Sequence, residues 1–135
     1  LGGSVVDAQA AATLWRDVRE QRHAAFAGAS PLWRFAVAST APPLSLGAGA
    51  VIEWNGAQRW LRTSMPAASL RERARELGGH ATLFRNADSP HNGDAQPDVF
   101  TPSSAPLAAI QRRLQDEFDP ARIFNRGRMV REAES

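Results

Sequence analysis

Apolar residues Ala11, Leu14, Trp15 and Val18 recur three and four positions apart behind Asp7, and Ala25 continues the face. This spacing predicts a first helix capped by Asp7 and ended by Gly28. The period then changes. "PLWRFAVAS" (31–39) is short, aromatic and bounded by Ser30-Pro31 and Pro42-Pro43, which predicts a strand. After a Pro- and Gly-rich connection, "AVIEW" and "AQRWL" flank Asn55-Gly56, the dipeptide suited to the positive φ angles of a type I′ turn, so 50–62 predicts a hairpin.

Ser64 and Pro66 open a second helix with Ala67, Leu70, Ala74 and Leu77 on one face and Arg71, Glu72, Arg73, Arg75 and Glu76 on the rest. Gly78-Gly79 ends it by supplying left-handed backbone. "HATLFR" (80–85) predicts a fourth strand and the polar stretch 86–102 a loop. Ser104 and Pro106 then start a third helix whose stripe Leu107, Ile110, Leu114 and Phe118 is expected to be buried, stopped by Asp119-Pro120. Ile123 and Phe124 are expected to anchor the tail to the core, and Trp33, Trp54 and Trp60 to fill it.

The order helix, strand, hairpin, helix, strand, helix predicts an α+β, ferredoxin-like layer: about four antiparallel strands in one sheet with helices packed on one face. The first crossing helix of that pattern is reduced to the stretch 40–49. No internal repeat is visible.

Composition narrows the class. At 135 residues, 43% apolar and 22% charged, the chain reads as one globular domain, and no apolar run approaches the ~20 residues of a membrane span. The pI near 10.8 suggests a nucleic-acid binder, yet the formal charge is only +2. All 16 basic residues are arginine, which titrates so late that the pI is inflated. The aromatics do not interleave with arginines as a base-stacking face requires, so no nucleic acid is expected as a partner. Absence of cysteine excludes disulfides, thiol nucleophiles and iron–sulfur clusters held by this chain. "LGGSVVDAQ" lacks the features of a signal peptide, and a cytoplasmic location is expected.

Among candidate sites, "GAGAVI" (47–52) echoes a dinucleotide-binding loop but lacks the third glycine and leads into a strand, so it reads as a linker. His91 with Asp88, Asp94 and Asp98 fits no metal-ligand spacing, and no metal is expected. His23 reads as a helix-terminal cation or a half-buried ring. His80 and Arg85 bracket a strand that follows a glycine pair, a place where scaffolds hold functional groups. Near the C-terminus, Asn125 stands between the apolar pair Ile123-Phe124 and Gly127, with Arg126 and Arg128 beside it. That arrangement offers one amide and one guanidinium to something outside the domain.

Here a resemblance enters. "RRLQDEFDPARIFNRGRM" resembles the C-terminal signature of FAD-linked oxidases of the vanillyl-alcohol oxidase type, where a helix and an Asp-Pro stop precede an "(I/F)-(L/F)-N-P-G-(K/R)" tail. "PLWRF", "APPL", "EWNGAQRWL" and "GGHATLFR" look more narrowly like the E subunits of bacterial glycolate oxidases, and the likeness runs from Trp15 to Met129. Two departures stand out. Arg126 replaces the usual proline, and the "E-H-G-x-G"-like segment of related catalytic subunits is missing after Gly78-Gly79.

The resemblance implies that residues 1–135 form a flavin-covering C-terminal domain, with FAD held mainly by an N-terminal domain absent from this chain. It implies a part in oxidising a small 2-hydroxy acid, glycolate to glyoxylate, with a second FAD subunit and an iron–sulfur subunit as partners. The location is then cytoplasmic, or peripheral at the inner membrane within the complex. Asn125 and Arg128, with His80 and Arg85 behind them, would face the cofactor; catalytic residues stay unassigned and the fragment alone is expected to be inactive. The rival reading is a stand-alone ferredoxin-like binding or regulatory module.

Overall fold

The computed structural model describes residues 2–46, 49–86 and 99–124. Asp7 Oδ1 accepts the backbone N–H groups of Gln9 and Ala10, both at 3.0 Å, and α1 runs Ala8–Arg19. The helix stops well before Gly28: Gln21 turns left-handed at φ 54°, and a tight turn, Ala24–Phe26, follows. Only by turning back can the chain bury Phe26, which is 2% exposed, against the sheet. The His23 ring, half-buried, caps that turn by accepting the Ala25 N–H on Nδ1 at 3.2 Å.

The strands are β1 (Leu32–Ala36), β2 (Val51–Glu53), β3 (Gln58–Arg62) and β4 (His80–Arg85), in the spatial order β2-β3-β1-β4 with every neighbouring pair antiparallel. With α2 (Ala67–Glu76) crossing from β3 to β4, this is the ferredoxin-like α+β sheet that the sequence predicts. Over 37–46 there is no helix. Instead Arg59 donates to the carbonyls of Pro42 and Ala41 at 2.5 and 2.6 Å, and Arg73 to those of Leu44 and Pro43 at 3.0 and 3.2 Å. Pro42 and Pro43 have no N–H to continue a helix, so their neighbours' carbonyls find guanidinium donors instead.

The hairpin forms with a longer loop than a two-residue type I′ turn. Glu53 pairs with Gln58, leaving 54–57 as the connection. Trp54 and Asn55 (both φ 52°) and Gly56 (φ 95°) are left-handed in succession, and Trp54 is 74% exposed instead of filling the core. A side chain at the tip of a loop has no layer above it to enter. Trp33 and Trp60 are buried as expected.

One face of the sheet packs Trp33, Phe35, Leu61, Ala81 and Leu83 against Leu70, Ala74 and Leu77 of α2. Phe35 and Leu70 are fully buried, and truncating such a phenylalanine typically costs about 3–5 kcal/mol. Gly78 closes α2 at φ 72°, while Gly79 has another reason to be glycine: a Cβ there would lie 1.9 Å from the Ala36 carbonyl oxygen. On the other face Phe26, Leu32 and Trp60 form a smaller cluster, joined by Val18 from α1 and by Val51.

Part of the expected loop is ordered along β4: Leu83 N–H donates to Val99 O at 2.9 Å, and Thr101 Oγ1 accepts from Ala81 N–H and donates to Ala81 O. This covers the outer strand edge. α3 follows at Ala105–Phe118 but buries none of its residues. Leu107, Ile110, Leu114 and Phe118 are 47%, 55%, 52% and 80% exposed, and Ile123 and Phe124 are 71% and 69% exposed, so neither the stripe nor the pair is core in this chain. Spacing specifies an amphipathic helix, whereas burial also requires a surface to receive it, and the sheet's packed face is already occupied by α2. Among the described residues no helix is long and apolar enough to cross a membrane.

Candidate functional site

Alternation along the strands puts Leu32, Arg34 and Ala36 on the face opposite α2. The register sets Arg34 between Trp60 of β3 and Thr82 of β4, and Ala36 between Gln58 and His80. Trp60 and Thr82 are each 5% exposed and Arg34 is half-buried. The Arg34 side chain makes no hydrogen bond or ion pair among the described residues. Its neighbour Arg62, by contrast, donates through Nε to Phe26 O at 2.6 Å and through Nη1 to Ser30 O. A guanidinium part-withdrawn from water with its fork unspent is suited to receive a planar anion bidentately.

Trp60 gives that fork a fixed wall. Its Nε1 donates to Glu53 Oε2 at 2.5 Å, and Gln58 Nε2 donates to the same oxygen at 2.8 Å. The indole also meets Phe26 and Phe84 edge-to-face, with centroids 5.8 and 4.9 Å apart. Such contacts lock the ring as a buried wall beside Arg34. The Arg34 guanidinium can therefore fix a carboxylate or other anion at this face.

Of the sequence-derived candidates, His80 is exposed at the start of β4 and shares the face of Arg34, one register pair along. Arg85 sits at the other end of the strand, opposite Leu32, where its Nη2 donates to Gln21 Oε1 at 3.1 Å and its guanidinium lies 5.9 Å from the Phe84 ring. The register thus sets His80 and Arg85 one pair to either side of Arg34, opposite Ala36 and Leu32, and the Arg85 guanidinium is already engaged by Gln21. Asn125, Arg126 and Arg128 lie outside the described residues, as do His91, Asp88, Asp94 and Asp98. Arg34 was the residue the sequence pattern passed over; its signal is a lone charge within the apolar run "LWRFAV".

Two other features lie apart from this face. A cavity of about 480 Å³ opens between the 41–46 connection and β2, with Arg59 among its lining residues. That guanidinium is committed to carbonyls of Gly56, Pro42 and Ala41, which makes it part of the scaffold. Arg75 is held above the ordinary arginine range by its side-chain bond to Glu72 and by the same carboxylate's charge, but it stands fully exposed on α2.

The chain is 36% identical over 132 residues to the glycolate oxidase subunit GlcE of Escherichia coli (strain K12). The match takes in 98% of this chain and 34% of that protein, so the chain spans about a third of the length of its curated relative. No family model matches, and no solved structure matches.

Proposed function

We propose that the chain acts as the C-terminal, flavin-covering domain of a GlcE-like FAD-binding subunit of a glycolate oxidase. The observation that carries this is the 36% identity running through 98% of the chain. Arg34 adds a second support, because a half-buried guanidinium with no side-chain partner among the described residues suits an anion beside a flat ring.

The residues fit a covering role and not a gripping one. No glycine-rich loop among the described residues leads into a helix N-terminus, the feature that would cradle a pyrophosphate. FAD would be held by a further domain of the same polypeptide, and it supplies the two-electron oxidation of glycolate to glyoxylate. Arg34 orients the substrate carboxylate or offsets negative charge on the reduced ring, with Trp60 excluding water beside it. Asn125 and Arg128 add an amide and a second guanidinium from the tail, and His80 a weaker polar contact. Electrons leave through the second FAD subunit and the iron–sulfur subunit, and these 135 residues alone neither hold FAD nor turn over substrate.

The test is to purify the polypeptide encoded by the complete reading frame and measure bound FAD and its reduction by glycolate in the assembled complex. Stoichiometric FAD with slower reduction in an Arg34→Ala, Asn125→Ala, Arg128→Ala triple variant supports the reading. A polypeptide without FAD, or a triple variant with unchanged reduction and potential, overturns it.

A further inference from the structure

α3 is a helix of 14 residues of which none is fully buried, and it continues into a turn built to the same end. Asp119, 7% exposed, accepts the Ile123 N–H on Oδ1 at 2.9 Å and the Phe124 N–H on Oδ2 at 3.1 Å, while Arg122 N–H returns to Asp119 O at 3.0 Å. The turn is therefore pinned by a nearly buried carboxylate, yet the two side chains it presents point away from any core. Leu107, Ile110, Leu114, Phe118, Ile123 and Phe124, all about half exposed or more, make one apolar display. Monomeric surfaces rarely leave large apolar patches in water.

The length of the helix bears on what covers it. An isolated helix of this length is marginal in water even for good formers, since nucleation is costly and tertiary packing normally supplies the balance. A partner that comes and goes would leave α3 frayed whenever it was absent. A surface on the same polypeptide is present at the millimolar effective concentrations that short connections give, and it needs no assembly step. The relative has about twice as much chain outside the match as inside it, since the match is 34% of its length.

We infer that the Leu107–Phe124 display is an intramolecular docking surface, seated on an apolar groove of the FAD-holding domain of the same polypeptide. This rests on the covering-domain reading and adds which surface carries the attachment: α3 and the Asp119 turn dock the domain. The Asp119 carboxylate preorganises the turn, so docking pays little ordering entropy there.

Hydrogen exchange on the full-length subunit, purified without its partner subunits, tests it. Amides of α3 and of Ile123 and Phe124 are expected to exchange at least about a hundredfold more slowly than unstructured ones, independently of protein concentration. Ile110→Asp with Leu114→Asp should abolish that protection while amides of β1 and β3 stay protected, which separates undocking from unfolding. Three results overturn the inference: fast exchange in the lone subunit with protection only when other subunits are added, protection that rises with concentration as a second copy would give, or no change in the double variant. Protection in a polypeptide that retains no FAD upholds the docking and overturns the flavin reading. Bound FAD with unprotected α3 does the reverse.

Discussion

Arg59 and Arg73 divide four consecutive backbone carbonyls between them: Arg59 holds those of Ala41 and Pro42, and Arg73 those of Pro43 and Leu44. Where a ferredoxin-like sheet ordinarily has its first crossing helix, this chain substitutes an extended connection clipped by one arginine from β3 and one from α2. The clip also seats Leu44, 5% exposed, in the main core.

Arg59→Met is expected to destabilise the chain by about 3 kcal/mol, the range for breaking a buried hydrogen-bond network. Arg73→Met should cost about 1 kcal/mol, because its side chain is partly exposed. The double variant should depart from the sum of the two by more than about 0.5 kcal/mol, since both act on one segment. Urea denaturation measures all three, and strict additivity would show that the two arginines act separately.

The glycine pair after α2 separates two constraints. Gly79→Ala is expected to cost more than about 3 kcal/mol or prevent folding, because its Cβ would sit 1.9 Å from backbone that cannot move aside. Gly78→Ala, left-handed at φ 72° but with open space around it, should cost only about 1–2 kcal/mol. Thermal unfolding of the two variants distinguishes them, and equal losses would contradict the close approach.

Trp54 is a bulky residue held at φ 52° with 74% of its surface exposed. Trp54→Gly should relieve left-handed strain and raise stability by up to about 1 kcal/mol. A lower melting temperature in that variant would mean that the indole packs usefully in solution.

Arg34→Ala is expected to leave the stability of the chain within about 0.5 kcal/mol of the parent, since no side-chain partner among the described residues is lost. In the flavin-loaded full-length subunit the same change should weaken glycolate or a competing carboxylate about 10- to 100-fold, the worth of a charge-assisted pair. Arg34→Lys should recover part of that loss. Isothermal titration with a small monocarboxylate provides the measurement, and unchanged affinity removes Arg34 from the site.

Local chemistry was legible in advance because its causes are local. Asp7 as a cap, the hairpin around Asn55-Gly56, the Leu70, Ala74 and Leu77 face of α2 and the four strands follow from neighbours a few residues apart. These spacings fixed the element types and, through their order, the ferredoxin-like class. Tertiary structure decided what long-range placement alone can decide. It set Arg34 in the inner strand β1 between Trp60 and Thr82 without a partner among the described residues, and it sent Arg59 and Arg73 to the same stretch of backbone. It left the α3 stripe uncovered as well. Periodicity records that a helix has an apolar side, because that side is written in the residues of the helix; whether the side is buried depends on a second surface, written elsewhere.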